Sequence, residues 1–361
     1  MTTTKVVSDA ARPAMGRFVS YASWPAQAPR FTSYADTPLP SSDGNKIVGA
    51  EAVLKAGSCT FVGEVHGSKE IPLAVKDLVT EALSVTPRVA CGFEMLHTEG
   101  AALRAFLQSD GSNEAKLALM RRPHWYEQGG LASAGIFDII DYCRQCGCAC
   151  FGFDAVATMG VSHAMGTNVA KRGTPAHEEA MASTCLHEIN AIRADRGWDD
   201  DNFIVICLVG SDHCRGGNDG PTLGSLIHER WPASGKVTSL VTHHAGGHTF
   251  SFDGRTCGVH YMPADGLVDA NGSRIEMYTA SGADTESNYR ATYISDHMVD
   301  GYDGALHLGC ELTPSPPAQL TLNDLAPPDS DRAVKGASPG GSVLADSSQS
   351  SAGCGACCVV Q

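Results

Sequence analysis

Short apolar runs alternate with amphipathic segments from about residue 47 to residue 310, and this alternation restricts the fold more than any other feature of the sequence. Uninterrupted apolar runs separated by helical segments are typical of strands that are buried on both faces in a parallel sheet. The predicted strands are CTFVGE (59–64), RVACGFE (88–94), ACFGFD (149–154), FIVICLVG (203–210), KVTSLVT (236–242) and GALHLG (304–309). The predicted helices are 68–84, 99–108, 131–146, 175–195 and 221–230. We therefore expect an α/β fold, a mainly parallel sheet with helices on both faces.

Composition divides the chain into four parts. Residues 1–45 are rich in Ala, Pro, Ser and Thr without a clear period, which predicts an extended or loosely packed N-terminal arm. The α/β domain occupies 46–311. Residues 312–353 contain TPSPP, APPDSD and SPGGS, and they offer too little apolar surface to order themselves, so we expect a flexible tether. Residues 354–361 form a cysteine-rich tail.

The charge balance excludes some classes of partner. The 361-residue chain carries 40 acidic and 26 basic side chains, a formal charge of -14, and this argues against nucleic-acid binding, because phosphates are held by Lys and Arg. No apolar run is long enough to span a bilayer, and the N-terminal residues lack the apolar core of a signal peptide. We expect a reducing compartment, in which the 14 cysteines are mostly thiols.

Acids and histidines stand at the ends of four predicted strands. In open α/β sheets, ligands and catalytic groups gather beyond the carboxyl ends of the strands. The residues concerned are Glu64, His66, Glu94, Asp154 and His213. A glutamate beside a histidine fixes the tautomer of a general base, and a second histidine can stabilise an oxyanion or protonate a leaving group. Glutamate and histidine can equally ligate a divalent metal, and Asp154 can equally cap the helix that follows it.

The sequence lacks two common hydrolase motifs. It has no HExxH metalloprotease motif and no Gly-x-Ser-x-Gly nucleophile elbow. Gly210-Ser211-Asp212 contains a serine but lacks the context of that elbow. A serine nucleophile is therefore disfavoured.

The strand-end motifs resemble those of one superfamily: the erythromycin esterases, the ChaN-type haem-binding uptake proteins and the Tiki peptidases. The Ras/Rap-specific endopeptidase domain of some bacterial toxins belongs to the same superfamily. The similarity runs from about residue 58 to residue 310. It rests on Gly63-Glu64-x-His66, Phe93-Glu94-Met95-Leu96, His124-Trp125-Tyr126-Glu127, Gly152-Phe153-Asp154, Val209-Gly210-x-x-His213 and Leu223-Gly224-Ser225-Leu226. The resemblance implies an EreA/ChaN-like fold. It also implies that Glu64, His66, Glu94 and His213 form one site, which in hydrolytic relatives activates water on an ester or peptide bond.

One spacing separates this chain from the macrolide esterases. In the erythromycin esterases the corresponding motif resembles Gly-Glu-x-x-His, which is one residue longer than Gly63-Glu64-Val65-His66. The shorter spacing in this chain is similar to that of the ChaN and toxin-peptidase branches. The resemblance thus implies a hydrolase of a small-molecule ester or a membrane-associated protein. The alternatives are a haem- or iron-binding protein without turnover and a non-catalytic interaction module. The cofactor expected for the hydrolase is a divalent metal. For the haem- or iron-binding protein it is haem.

Three other features are candidates for supporting roles. THHAGGH (242–248) follows a predicted strand, so His243 and His244 either line the same edge or lie in a solvated loop, which is the favoured interpretation. Arg215 can hold an acidic group of the substrate. CRQCGCAC (143–150) is dense in thiols, but no second CxxC pair completes a standard zinc finger, so buried thiols are favoured over a zinc site.

The C-terminal residues predict lipid attachment. Cys358-Val359-Val360-Gln361 fits the prenylation box, in which a terminal Gln favours farnesyl, and Cys354 and Cys357 are candidates for palmitoylation. One lipid gives marginal membrane binding, whereas two make it stable. These residues predict recognition by a prenyltransferase and a location on the cytosolic face of a eukaryotic membrane, for either a eukaryotic protein or a delivered effector.

Overall fold

A computed structural model of the chain describes residues 19–20, 47–126, 130–155, 173–198, 200–216, 220–252, 257–263, 293–295 and 301–318. Most of the predicted arm, residues 319–353 of the predicted tether and the whole tail lie outside the described residues. Across the ranges that are described, none of the helices combines the length and the apolar character needed to cross a membrane.

Strands and helices alternate largely as the sequence predicts. The strands are β1 (Val19–Ser20), β2 (Cys59–Glu64), β3 (Val89–Leu96), β4 (Ala149–Asp154), β5 (Ile204–Gly210), β6 (Val237–His243), β7 (Gly247–Phe252), β8 (Cys257–Met262), β9 (Tyr293–Ser295) and β10 (Gly304–His307). The helices are α1 (Ala50–Val53), α2 (Glu70–Val85), α3 (Gly100–Leu107), α4 (Asn113–Met120), α5 (Ala134–Cys146), α6 (Pro175–Arg196), α7 (Ser211–Cys214) and α8 (Leu223–Arg230). All six predicted strands are present. The short helices α1, α4 and α7 and the strands β1, β7, β8 and β9 are not predicted from the apolar pattern of the sequence.

Within the described part of the chain, the main sheet has seven strands in the order β4-β3-β5-β2-β6-β10-β9. Its first six strands are parallel, and β9 pairs antiparallel with β10. The prediction of a mainly parallel α/β sheet is confirmed. At the centre, Glu64 of β2 pairs with Gly210 of β5, so the carboxyl ends of these two strands lie side by side.

Both faces of this sheet are covered by helices. Phe61 and Val62 are successive residues of β2 and are fully buried in different cores, as the two-residue period of a strand requires. Val62 lies in the core that contains α2 and α5, and Phe61 lies in the core that contains α6 and α8. Burial on both faces is the physical reason why the strand sequences are uninterrupted apolar runs.

A second, antiparallel sheet has the order β1-β8-β7. It contacts the main domain next to the end of β2, where the Phe250 N–H donates to the Gly67 carbonyl at 2.9 Å. Val19 of β1 pairs with Val259 of β8, which places two residues of the predicted arm against this sheet.

Residues 312–318 pack against the domain, although their composition assigned them to the flexible tether. Leu312 is 2% exposed, Ser315 1% and Ala318 0%. The Ser315 N–H donates to the Gly67 carbonyl at 2.8 Å, and the Ala318 N–H donates to the Ala132 carbonyl at 2.9 Å. The tether interpretation is corrected for these seven residues, because backbone hydrogen bonds to the domain order a segment that has few apolar side chains.

Candidate active site

Glu64 and His66 form a hydrogen-bonded pair at the end of β2. The His66 Nδ1 lies 2.8 Å from Glu64 Oε1, and the Glu64 side chain is 3% exposed whereas that of His66 is 23% exposed. Residues two apart in an extended chain point to the same side, which is why the spacing in the sequence allows this contact. Gly63 lets Cys214 approach, since a Cβ at residue 63 would lie only 2.6 Å from the Cys214 Sγ.

Glu94 reaches the same position from β3. The register between β3 and β4 shifts between Phe93 and Leu96, an irregularity of the kind that re-aims side chains near active sites. The Gly210 N–H donates to Glu94 Oε2 at 2.9 Å. Glu94 Oε2 lies 3.6 Å from His66 Nε2, and Oε1 lies 3.7 Å from His213 Nε2, so one buried carboxylate stands between two imidazoles.

His213 is held by the one-turn helix α7 directly after β5. The Ser211 hydroxyl donates to the Glu64 carbonyl at 3.1 Å, and the Tyr302 hydroxyl donates to the Ser211 carbonyl at 2.9 Å. These two bonds fix the turn that carries His213 against the end of β2. The strand–turn connection thus brings His213 to the edge where Glu64 and Glu94 lie.

Glu178, which is not among the site residues predicted from the sequence, orients His213. Its Oε1 lies 2.6 Å from His213 Nδ1, and its Oε2 accepts the Leu223 N–H, at the start of α8, at 2.9 Å. Glu178 therefore also satisfies one of the unpaired N–H groups at that helix start. One feature of the sequence could have indicated Glu178. It is an acid in the first turn of a predicted helix, and that helix follows a strand that ends at the edge where the site lies.

Asp154 contacts a second residue that sequence reasoning missed, His177. Its Oδ1 lies 3.1 Å from His177 Nε2, and both side chains are 1% exposed. The His177 ring meets the His213 ring edge-to-face, with ring centres 5.8 Å apart. The sequence left Asp154 either a direct part in the chemistry or a capping or supporting role, and this contact favours support of the wall behind His213.

The carboxylates around the two imidazoles change their proton affinities. Burial lowers the pKa of His213, but the charge of Glu94 and the hydrogen bond with Glu178 outweigh it and raise the pKa to about 9. Burial likewise lowers the pKa of His66, yet the charges of Glu94 and Glu64 give a net increase above 6.5. For Glu94, burial raises the pKa, whereas His213 and His66 lower it more, so the net pKa lies below 4.5.

Successive contacts join five side chains in the order Glu64, His66, Glu94, His213, Glu178. The Nδ1 atom of His66 contacts Glu64, and the Nδ1 atom of His213 contacts Glu178. The Nε2 atoms of both histidines face the Glu94 carboxylate. Among the residues that the structure describes, no group of three or more His, Cys, Asp or Glu side chains is arranged to hold a metal ion. Two imidazoles that each contact two carboxylates suit proton transfer.

The other predicted supporting residues occupy different surroundings. Arg215 follows α7, and its side chain packs against the backbone of Gly301. His243 ends β6 with its ring centre 5.2 Å from that of His307, and His244 Nδ1 accepts the Gly246 N–H at 3.1 Å. The favoured prediction of a solvated loop is wrong for His243 and His244, which are 4% and 1% exposed.

Gly67 fixes the backbone that leaves His66. Its φ is 78°, and a Cβ there would lie 1.7 Å from the Phe250 carbonyl oxygen. We expect Gly67→Ala to reduce the free energy of unfolding by about 1–3 kcal/mol more than Gly197→Ala does, since residue 67 adds an overpacking cost to the left-handed backbone cost. Gly197 is the matched control, with φ 63° and nothing within 4 Å of the added methyl. Urea unfolding measures both variants, and equal losses would contradict the steric argument.

Comparison with known proteins gives structural matches only. No protein-family model matches the chain, and no curated protein matches its sequence. A mutant of the erythromycin esterase EreC in its open conformation is similar at TM-score 0.45 and 12% identity, covering 73% of this chain and 93% of that one. The type III effector HopBA1 is similar at TM-score 0.35 and 14% identity (63% and 92% covered). ChaN of Campylobacter jejuni, described with cofacial haem binding, is similar at TM-score 0.34 and 14% identity (59% and 90% covered). An erythromycin esterase and a ChaN protein are thus among the structures to which this chain is similar.

Proposed function

We propose that this protein is a hydrolase that activates water to cleave an ester or peptide bond. The observation that carries the proposal is the Glu94 carboxylate, which lies between the Nε2 atoms of His66 and His213 while separate acids hold both Nδ1 atoms. General acid–base catalysis needs titratable groups within reach of one reacting centre, with their tautomers set by neighbours. These five side chains meet both requirements, since the titratable groups lie close together and neighbouring acids set the tautomers of the two histidines.

His66 is the proposed general base. Glu64 accepts the Nδ1–H, which leaves the Nε2 lone pair to take a proton. His66 Nε2 and Glu94 Oε2 are 3.6 Å apart, so one water molecule beside them can make ordinary hydrogen bonds to both atoms. As the water attacks a carbonyl carbon, its proton passes to His66 Nε2, and the ionised Glu94 stabilises the resulting imidazolium.

His213 is the proposed acid. With its pKa raised to about 9, it carries a proton at neutral pH. A protonated imidazole that is 19% exposed at the site can donate to a developing oxyanion or to the leaving group. Glu178 holds the ring by Nδ1, so the Nε2 proton is the one available to the substrate.

The haem-binding alternative would use the same two imidazoles. A haem iron takes a ring nitrogen from a histidine, and the Nε2 atoms of His66 and His213, which lie 3.6 and 3.7 Å from the Glu94 carboxylate, would have to turn from that carboxylate to the iron. Titration of the purified protein with haem separates the two functions. We expect no Soret shift, and a saturable shift at stoichiometric haem would favour the alternative.

A substrate screen tests the hydrolase proposal. Purified wild-type protein and the His213→Ala variant are each incubated with p-nitrophenyl esters of increasing chain length and with a membrane-protein fraction of eukaryotic cells. We expect the wild type to release nitrophenol, or to generate new peptide termini detected by mass spectrometry, and the variant to lose that activity. Equal product formation by the two proteins would refute the proposal.

We further propose that lipidation of Cys358 places the domain at a eukaryotic membrane, where a membrane-associated protein is the favoured substrate. The terminal box supports prenylation, Cys354 and Cys357 are candidates for a second lipid, and residues between domain and tail can act as a spacer. We expect Cys358→Ser to move the protein from the membrane to the soluble fraction of a eukaryotic cell, because the thioether can no longer form. Cys146→Ser, which removes an exposed domain cysteine, is the control. An unchanged distribution of the Cys358 variant would contradict this part of the proposal.

A further inference from the structure

Four thiols meet on the face of the sheet that α5 covers. Cys143 of α5 lies with its Sγ 3.5 Å from the Sγ of Cys91 of β3. Its thiol also hydrogen-bonds with those of Cys148 and Cys150. All four side chains are buried, and Cys91 pairs with Cys150 across the β3–β4 ladder. Cys143 is therefore the centre of this cluster.

The end of helix α5 itself brings Cys143 and Cys148 together. Gly147 has a φ of 73°, its N–H donates to the Arg144 carbonyl at 3.3 Å, and the Cys148 N–H donates to the Cys143 carbonyl at 2.9 Å. This pair of bonds is the Schellman motif, in which the two residues joined by the longer-range bond also contact through their side chains, usually as an apolar pair. Here both members of that contact are cysteines.

Cys148 has the surroundings of the more acidic thiol. A hydrogen bond with Cys143 lowers its pKa more than burial raises it, and the charge of Arg196 lowers the pKa further. Arg196 is held nearby, since its Nη1 donates to the Gly147 carbonyl at 2.8 Å. Gly147 and Cys146 are exposed, so Cys148 lies directly below the surface of the domain. A thiol whose pKa is lowered, next to a cation and near solvent, is the kind that reacts with oxidants.

We propose that Cys148 and Cys143 form a peroxide-reactive dithiol site, independent of the hydrolase site. In the first step the Cys148 thiolate attacks hydrogen peroxide, the O–O bond breaks, and a sulfenic acid and hydroxide form. In the second step the Cys143 sulfur attacks the sulfenic sulfur, the S–O bond breaks, and water leaves with the Cys143 proton. The hydroxide of the first step takes up a proton from solvent. In sum, two thiols lose two electrons and one peroxide becomes two water molecules.

Peptide mapping of the full chain tests this site. The folded protein is treated with hydrogen peroxide, free thiols are blocked with N-ethylmaleimide, and the unfolded protein is digested with trypsin. Cleavage after Arg144 separates Cys143 from the peptide that carries Cys148, so a disulfide appears as two linked peptides. We expect this linked pair in the wild type and in Cys146→Ser, and its loss in both Cys148→Ser and Cys148→Ala. Thermal melts of all variants before oxidation establish that they are folded.

Three thiols on the opposite face are an internal control. Cys59, Cys185 and Cys207 are buried there and hydrogen-bond with one another. We expect them to stay reduced at the peroxide concentration that oxidises Cys148, because burial and their mutual contacts hold the pKa of all three thiols above the ordinary value. Three outcomes would overturn the proposal. The linked pair of peptides could persist in both Cys148 variants, or Cys143 could remain fully open to alkylation although Cys146 is oxidised. The third outcome is that Cys59, Cys185 and Cys207 are oxidised to the same extent as Cys148.

Discussion

Glu94→Gln is expected to lower kcat/KM for hydrolysis by about 10³-fold or more, while the fold is retained. The glutamine oxygen can still accept the Gly210 N–H, so the backbone contact that Glu94 makes at 2.9 Å survives. What is lost is the negative charge between His66 and His213, which stabilises both imidazolium forms. The measurement is a kinetic comparison on whichever substrate the screen identifies.

Two further readouts separate a chemical from a structural effect of this substitution. The NMR titration of His213 should show its pKa falling well below about 9, since the charge of Glu94 is the largest contribution that raises it. Glu114→Gln, an exposed acid of α4, is the control and should leave kinetics and the His213 titration unchanged. If Glu94→Gln kept activity within tenfold of the wild type while the His213 pKa fell as expected, the assigned role of Glu94 would be wrong.

Stability should also fall at alkaline pH because of His213. Its folded-state pKa of about 9 lies above its ordinary 6.5, so the folded protein holds this proton more tightly than the unfolded chain does. This stabilisation is fully present below pH 6.5 and is lost as the pH rises through about 9. The shift corresponds to a contribution on the order of 3 kcal/mol to the free energy of unfolding. Glu94 acts in the opposite sense, since its lowered pKa adds stability that is lost as the pH falls below 4.5.

Denaturant unfolding between pH 6 and pH 10 checks this prediction. The wild type and His228→Gln, which replaces an exposed histidine of α8, should lose the same free energy of unfolding on the alkaline side. The His213→Gln variant should lose less free energy of unfolding over that range, because it lacks the imidazole that binds the proton. Identical alkaline losses in all three proteins would show that His213 is not held protonated by its neighbours.

The sheet could be predicted because its strands are buried on both faces. Uninterrupted apolar runs such as 59–64 and 204–210, when helical segments separate them, predict strands of a parallel sheet that is covered on both faces. The β7–β8 hairpin was missed because its strands are less apolar, although Asp253-Gly254 between them is a recognised hairpin signal in the sequence. The packing of residues 312–318 was missed because backbone hydrogen bonds leave no compositional trace.

Four residues of the site could be identified in the sequence and two could not. Glu64, His66, Glu94 and His213 each lie at or just beyond the end of a strand, and the topology of a parallel sheet brings such positions to one edge. Glu178 and His177 lie in the first turn of a long helix, where acids also serve as ordinary helix-terminal charges. Nothing local distinguishes Glu178 from Glu179, which is exposed and pairs with Arg230.

By itself, the sequence determined the layered α/β architecture and the edge at which acids and histidines gather, because both follow from local periodicity and strand direction. The tertiary structure alone decided which acid serves which histidine. His213 meets Glu178 from 35 residues away, and Glu94 of β3 lies between the imidazole that follows β2 and the imidazole carried by α7. Such pairings depend on how α6 and α7 pack across the sheet edge, and the distances of a few ångströms that set proton affinity exist only once that packing is complete.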